Sequence, residues 1–443
     1  MENYLFEKML VPKAYMKLAL PVVLSMIVSL VYNMIDTYFI ALTGVQELVA
    51  GVSLVAPMFT LMIAFGDIFG LGGSSVISRL LGEKKDNEAK KTCAFCIWVS
   101  LVFGLCISVI LLLFRTQILG LLGVSKVTYE YANAYYTWIV IGAVSIIFSM
   151  VPSNILRTEG LAVQSMAGSI IGSIVNIIFD SIFIFGLNQG AAGAAMATVL
   201  GNIIADIYYV YAVIKKSKRL TCSPSHMKIT GRRVKDILMI GIPASITNIM
   251  QTFMMVMTNN FLLTYGTDKV AAMGIALKVN MITALVLVGF AFGGQPLVGY
   301  NYGAKNEKRL KNILKFSYLF EIGLGLLFTI IMCIFAPQII KVFMDKPDII
   351  TNGAMMLRFQ QMGMIFMSVT LISTCVCQAV GNAGGAFVLS ISRQGVIYVL
   401  ALLIMSNVFG YTGVLVSQAC SDVVTALIAV GIMLRIMKKF IKN

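Results

Sequence analysis

The stretch Val99-Ser-Leu-Val-Phe-Gly-Leu-Cys-Ile-Ser-Val-Ile-Leu-Leu-Leu-Phe114 decides the fold class, because it runs without a charged side chain. Trp138–Met150 and Ile322–Phe335 are charge-free in the same way. Neutral flanking residues extend each run toward the roughly 20 residues that a helix needs to cross about 30 Å of hydrocarbon. Inside lipid, backbone polar groups must be satisfied within the segment, so we predict that these runs are transmembrane helices.

The whole chain shares this apolar character. Its 443 residues are 59% hydrophobic and only 12% charged, and the mean hydropathy is +0.90. A soluble domain ordinarily carries about 25% charged residues, so the composition excludes a water-soluble fold. A transmembrane β-barrel would show alternating segments of about ten residues instead. We therefore predict an all-α polytopic membrane protein.

Twelve apolar stretches are long enough to span a bilayer, and their flanking charges predict the orientation. Lys and Arg cluster at the N-terminus, after spans 2 and 8, in the central loop and in the C-terminal tail, whereas the opposite loops are poor in both. By the positive-inside rule, both termini are cytoplasmic in a multi-pass protein of the cytoplasmic (inner) membrane. We expect no cleaved signal peptide, because no small-residue cleavage site follows the first run. The predicted spans are roughly 14–41, 48–81, 92–114, 131–156, 163–186, 191–215, 236–265, 270–303, 312–336, 350–380, 385–409 and 412–437.

The sequence repeats itself at a nearly constant offset that is close to half the chain length. Pro21 opens span 1 as Pro243 opens span 7, and Gly160 ends span 4 as Gly381 ends span 10. Each half has an even number of spans, so the two halves share one orientation and are related by an axis along the membrane normal. Duplicated halves of this kind are typical of alternating-access transporters, although an inert duplicated scaffold is the alternative.

The basic linker near residues 216–235 marks the boundary between the halves. We therefore predict an N-terminal lobe of spans 1–6 at residues 1–219 and a C-terminal lobe of spans 7–12 at residues 220–443.

Several motifs resemble one transporter family. The run Asn176-Ile-Ile-Phe-Asp180-Ser-Ile-Phe-Ile-Phe-Gly186, followed by Gly190-Ala-Ala-Gly-Ala-Ala-Met-Ala-Thr198, looks like spans 5 and 6 of the multidrug and toxic compound extrusion (MATE) transporters. Segments 293–306, 152–160 and 392–394 resemble the same family. The acids of the N-terminal lobe resemble the DinF-like and MepA-like branch. The resemblance implies a V-shaped pair of six-helix bundles that exports bulky, often cationic organic compounds in exchange for Na⁺ or H⁺.

Four oxygen-bearing side chains of the first half are predicted to form a coupling-ion or proton site. Asp36, Asp180 and Thr198 lie about 9–12 Å below the outer ends of their helices at about 1.5 Å per residue, and Asn176 is one turn deeper than Asp180 on the same face. Oxygen ligands suit a hard cation, and two carboxylates in a low-dielectric cavity would also share a proton. Na⁺ and H⁺ therefore both remain open, as does a structural hydrogen-bond network. The MATE resemblance implies cation binding by the same four residues.

Different roles are expected for the other intramembrane acids. Asp67 is mid-span and could face a cavity, whereas an ion pair is expected for Asp206. Asp422 could pair with Lys278 or Arg393. The span 7 region Thr258-Asn259-Asn260 lacks the carboxylate that NorM-like relatives place there, which makes an ion site in the second half doubtful.

The substrate cavity and a hinge complete the predicted functional residues. Tyr32 and Asn33 lie one turn from Asp36, and with Asp67 and Asn154 they could face a ligand. Pro21 interrupts span 1 and is a possible hinge, because an interior proline kinks a helix. The 28 methionines would suit varied apolar ligands.

Other function classes fit less well. The single histidine, His226, excludes a histidine-ligated intramembrane protease or a Ser-His triad, and the absence of a P-loop excludes direct ATP coupling. We therefore expect no enzyme activity, no cofactor, and no metal beyond Na⁺ at the coupling site. The net charge of +15 lies in short clusters between apolar runs, so we expect lipid and organic cations or drugs as partners, no nucleic acid, and a monomer. The alternative function is a flippase for lipid-linked or other amphiphiles, and a channel is less compatible with the duplication.

Overall fold

The computed structural model describes residues 4–442, and it describes the side chains of these residues except 267 and 439–442. Within this part the chain is all-α, as predicted. Short π-helical segments occur at Tyr4–Lys8, Ser181–Gly186 and Ser392–Val396, and a 3₁₀ turn occurs at Pro224–His226. The α-helices are α1 Val11–Leu42, α2 Gln46–Gly82, α3 Asp86–Leu113, α4 Arg115–Leu121, α5 Tyr129–Ile141, α6 Ala143–Thr158, α7 Ala162–Asp180, α8 Gly190–Lys215, α9 Gly231–Leu263, α10 Thr267–Gly303, α11 Glu307–Ile334, α12 Ala336–Phe343, α13 Pro347–Met362, α14 Met364–Val380, α15 Ala383–Ile391 and α16 Ile397–Lys442.

Most of these helices are long and apolar enough to cross a membrane. Nine stretches of the described chain qualify by themselves, and two bent pairs qualify as single spans. The pairs are α5 with α6, bent by 48°, and α13 with α14, bent by 41°. Each bend lies at a glycine, Gly142 or Gly363, and these two glycines occupy corresponding places in the two halves. The bends therefore follow the sequence repeat.

The longest stretch, Ala383–Lys438, contains two spans. A straight helix as long as α16 would measure about 70 Å, more than twice the hydrocarbon thickness. Gly410 breaks it with φ +56° and ψ −129°. Ser421 Oγ donates to the carbonyl of Arg393 at 2.7 Å although the two are far apart in sequence, which requires the chain to reverse. Counting this hairpin as two spans gives ten, and the bent pairs bring the total for the described residues to the predicted twelve.

Packing divides the chain into two compact units whose limits fall inside helices. The first unit contains Leu24–Ser245, and the second contains Phe6–Val23 together with the chain from Ile246 onward. The limits at Val23 and Ser245 lie just after Pro21 and Pro243. The first part of α1 thus packs with the second set of helices, and the first part of α9 packs with the first set. The predicted lobe boundary at 219/220 follows the repeat and stays a prediction.

Paired glycines in α2 and α10 make room for these helix starts. In the first unit, a Cβ on Gly72 would lie 2.4 Å from the carbonyl oxygen of Ile237 in α9. In the second unit, a Cβ on Gly293 would lie 2.4 Å from Cα of Ala19, and one on Gly294 would lie 2.2 Å from the Tyr15 ring. Only glycine permits such close helix contact, which gives the two repeated glycine pairs a packing function.

Candidate functional site

Three helices of the first unit bring the four predicted coupling residues together. Asn176 and Asp180 lie on one face of α7, and Thr198 lies on the facing side of α8. α7 and α8 approach closely where glycines face each other, because a Cβ on Gly201 would lie 2.6 Å from the carbonyl oxygen of Gly172. Side chains as short as Asn and Thr therefore meet across the two helices.

The Asn176 amide links Asp180 to Thr198. With its nitrogen turned toward Asp180, the amide donates to Oδ2 at 3.1 Å, and its oxygen accepts from Thr198 Oγ1 at 3.2 Å and from the Thr198 backbone nitrogen at 3.0 Å. The opposite orientation retains only a contact from the amide nitrogen to Thr198 Oγ1 at 3.2 Å. The first orientation satisfies both ends of the amide, so Asn176 holds Asp180 in place.

The carboxyl groups of Asp36 and Asp180 lie within hydrogen-bonding reach of each other. Asp180 is fully buried, and Asp36 is partly exposed. One oxygen of each, Oδ1, is buried without a hydrogen-bond partner. Two ionised carboxylates at this spacing repel each other, and unpaired buried oxygens are costly. A bound proton or cation would remove both problems.

A cavity of about 230 Å³ gives access to this cluster. It is smaller than the roughly 300–1,000 Å³ of most sites for drug-sized ligands, so as described it suits water or a small cation. Tyr32 and Asn33, which were predicted to face a ligand, line it, and Tyr135 of α5 was not anticipated. The lining residues are Tyr32, Asn33, Asp36, Thr37, Ile40, Val49, Val52, Ser53, Ala56, Phe59, Thr60, Tyr135 and Thr198.

Two other predicted cavity residues lie elsewhere, around Arg157. Asn154 Oδ1 accepts from Arg157 Nη1 at 3.3 Å, and Arg157 Nε donates to Ser165 Oγ at 3.2 Å. Asp67 interacts electrostatically with the same guanidinium. The structure therefore places Asp67 and Asn154 in a polar cluster centred on Arg157, and neither lines the cavity beside Asp36.

The remaining predicted acids have defined partners. Asp206, for which an ion pair was expected, instead accepts hydrogen bonds from the hydroxyls of Ser145 and Ser149. Asp422 is paired with Arg393, one of its two predicted partners, at 2.7 Å from Nε to Oδ1. Gln418 Nε2 also donates to Asp422 at 3.1 Å.

One buried acid escaped the sequence analysis. Glu321 lies in the middle of α11 with a fully buried side chain, and both carboxylate oxygens are without a hydrogen-bond partner. It lies inside the predicted span 312–336 and directly precedes the charge-free run Ile322–Phe335, but it belongs to none of the motifs described above. The available signal was its distance from Glu307 at the start of α11, which is several helical turns.

Comparisons with known proteins agree with this architecture. The MatE family model matches residues 21–182 and 243–404, two segments of equal length that follow the repeat. A multidrug export protein MepA of Staphylococcus haemolyticus (strain JCSC1435) is 30% identical over 97% of this chain and 94% of its own.

Solved structures share the fold. One is the outward-facing conformation of a multidrug resistance MATE family transporter of the MOP superfamily, with 25% identity, coverage of 97% of this chain and 96% of that chain, and a TM-score of 0.90. Another is a MOP superfamily transporter from Pyrococcus furiosus whose binding pocket is described as having reverse polarity, suggesting a different function. It is 24% identical over 100% of this chain and 99% of its own, with a TM-score of 0.93. The present chain belongs to the MATE family of membrane transporters and is not an enzyme.

Proposed function

We propose that this protein is a secondary active multidrug efflux transporter that exports organic, cationic compounds in exchange for H⁺ or Na⁺ by alternating access of two lobes. The observation that carries the proposal is the pairing of Asp36 and Asp180 beside a cavity. The similarity to proteins named as multidrug exporters supports the efflux direction. Asp36 is the charged residue among those that line the cavity. Its negative charge favours a positively charged cargo that is exchanged for another cation.

Competition for negative charge would couple the two fluxes. An ion that enters from outside neutralises the Asp36–Asp180 pair and weakens the attraction for an organic cation. When the ion leaves on the cytoplasmic side, the charge returns and the next substrate is attracted. A tenfold ion gradient supplies about 1.4 kcal/mol, and a charge crossing 100 mV supplies about 2.3 kcal/mol. One or two ions per cycle therefore suffice for substantial export.

The hydrogen bonds around Asn176 favour a proton as the coupling ion. In the satisfied orientation, the amide oxygen faces Thr198 and only the amide nitrogen faces Asp180. A proton shared by the two carboxyl groups needs no change in this arrangement. Na⁺ prefers several oxygen ligands, so it would require the amide to turn its oxygen toward Asp180. Both ions stay in the proposal, and separate proton and sodium gradients distinguish them.

We also propose that both termini lie in the cytoplasm, since Lys and Arg are concentrated in the segments on that side. A fluorescent protein that matures only in the cytoplasm, fused to the C-terminus, should fluoresce. A dark fusion that is nevertheless inserted in the membrane would contradict this orientation.

Ethidium efflux from cells that express the protein tests the proposal. Asp36→Asn and Asp180→Asn should each abolish efflux at normal expression, because an amide cannot release a proton or supply the same charge. Asp345→Asn is the matched control, since its side chain is 72% exposed and lies far outside the cluster in sequence. Efflux by both site variants at the wild-type rate would show that Asp36 and Asp180 do not form the coupling site.

A lipid or amphiphile flippase is the second candidate function. It is supported by the fold shared with the Pyrococcus furiosus transporter, whose pocket polarity is described as reversed, and by the presence of the partly buried cation Arg157 in the first unit. Proteoliposomes with a fluorescent anionic lipid would test it. Lipid translocation that requires Arg157 but not Asp36, without ethidium transport, would favour the flippase.

A further inference from the structure

Glu321 is the buried acid that the proposed mechanism does not use. It lies halfway between the start of α11 at Glu307 and its end at Ile334, so it is near the middle of the span. Its side chain is 0% exposed, and Oε1 and Oε2 both lack a hydrogen-bond partner. An ionised carboxylate in such surroundings would lose its hydration without any compensating hydrogen bond.

Part of the surroundings of Glu321 comes from the first half of α1, where Tyr15 interacts with it electrostatically. Tyr15 packs edge-on against Phe316 and Phe320 of α11, with ring centroids 5.4 Å and 6.1 Å apart. Its hydroxyl donates to the carbonyl of Phe290 at 2.9 Å. The Tyr15 hydroxyl is therefore already engaged, and the nearby Glu321 side chain is completely buried.

The titratable groups near Glu321 are weak acids and not cations. Among the described residues, Tyr15 of α1 and Cys375 of α14 are the ones that interact electrostatically with it. The cations on α11 and its other neighbouring helices are placed elsewhere: Lys315 and Lys278 are exposed, Arg358 donates to the carbonyl of Cys333, and Lys341 lies 3.8 Å from Asp345.

These contacts discriminate between the possible occupants. Na⁺ needs several hard oxygen ligands, whereas the oxygens near this single carboxyl group are the Tyr15 hydroxyl, which already donates to Phe290, and the buried Ser317 hydroxyl one turn earlier on α11. A proton needs only one carboxylate oxygen. It also removes the charge that the surroundings do not compensate.

We propose that Glu321 is a proton-binding site of the second unit, covered by the Phe6–Val23 segment. In the packing described, the carboxyl group holds its proton, and exchange with water requires this segment to move away. The inference is independent of the proposed substrate, since a flippase with this packing would hold the same proton.

Infrared difference spectroscopy of the full-length protein in lipid nanodiscs at neutral pH tests the proposal. Subtracting the spectrum of Glu321→Gln from that of wild type should leave the carbonyl band of a protonated carboxylic acid. Glu321→Asp should move this band instead of removing it, and it provides an independent reading if the amide variant is unstable. A carboxylate band in the difference spectrum, or an unchanged carbonyl region in both variants, would overturn the proposal.

Exchange into D₂O tests the covering segment. The band should shift slowly in wild type and severalfold faster in Tyr15→Ala. Tyr398→Ala is the matched control, because Tyr398 is equally buried in the second unit and its hydroxyl hydrogen-bonds to Thr258 of α9. Equal exchange rates in wild type and Tyr15→Ala would show that the segment does not cover Glu321.

Discussion

At the scale of single residues, the polar groups inside the spans divide by whether their partners are complete. Asp206 and Asp422 have full sets of hydrogen-bond or ion-pair partners and are suited to fixed structural roles. Asp36, Asp180 and Glu321 each retain a buried oxygen without a partner. Each of these groups would gain a compensating partner by binding a proton or a cation.

Asn176 is the residue that fixes the geometry of the first site. We predict that Asn176→Ala abolishes ethidium efflux and lowers the free energy of unfolding by about 1–3 kcal/mol, because it leaves Asp180 and Thr198 without their shared partner. Thermal melting in detergent, measured beside efflux, checks both effects. Asn407→Ala is the control, since that exposed amide only donates to the carbonyl of Leu403. Unimpaired efflux by Asn176→Ala would argue against a role in coupling.

The Arg393–Asp422 ion pair should contribute mainly to the stability of the fold. Asp422 is almost completely buried, and the Arg393 side chain is 15% exposed. Asp422→Asn should therefore destabilise the protein by about 3–5 kcal/mol, because a buried guanidinium loses its counter-charge. The double variant Arg393→Met with Asp422→Leu should recover much of this loss in chemical denaturation. If the single variant melts like wild type, the pair contributes little to the fold.

At the scale of helices, the number of spans could be predicted from the composition, but the packing of the helix starts could not. Twelve spans were predictable because apolar length is encoded locally, even where Gly142, Gly363 or Gly410 interrupts the helix. The first part of α1 packs with the second unit, and the first part of α9 packs with the first unit. This arrangement was not predictable, because it depends on contacts between residues that are far apart in the chain. Pro21 and Pro243 mark the two positions in the sequence, but they do not indicate that the packing partners of the helix change there.

Four of the site residues could be predicted together because helical spacing and depth place them on converging faces. Glu321 was missed because it belongs to none of the repeated or family-like motifs, although it lies inside the predicted span 312–336. Asn154 contacts Arg157 one turn away on α6, and Asp67 of α2 interacts with the same guanidinium; the contact between α2 and α6 could not be predicted from spacing along one helix.

The close approach of α2 and α9 in the first unit gives a prediction at this scale. A Cβ on Gly241 would lie 1.9 Å from the carbonyl oxygen of Ile68, where backbone must shift to admit it. Gly241→Ala should therefore greatly reduce the yield of monodisperse protein in size-exclusion chromatography. Gly231→Ala, at the first residue of the same helix with open space around it, should be neutral or slightly stabilising. Equal yields from the two variants would contradict the packing.

At the scale of the molecule, the two repeated halves share their helices, but the charged site residues of the first half are not repeated in the second. Aligning the two matched segments end to end places Thr258, Tyr398 and Leu402 opposite Asp36, Asn176 and Asp180. Thr258 and Tyr398 hydrogen-bond to each other, and Leu402 is fully buried. The second unit thus has a neutral, self-satisfied counterpart of the first site. Its unpaired acid, Glu321, lies instead on α11.

This asymmetry supports our proposal that ion coupling takes place at the Asp36–Asp180 pair. The most direct measurement is ethidium accumulation in proteoliposomes against its own gradient, with a proton gradient and a sodium gradient imposed separately. We predict that at least one gradient drives accumulation by the wild-type protein and that neither drives it in Asp36→Asn or Asp180→Asn. Accumulation by both variants at the wild-type rate, or wild-type transport indifferent to both gradients, would contradict coupling at this pair.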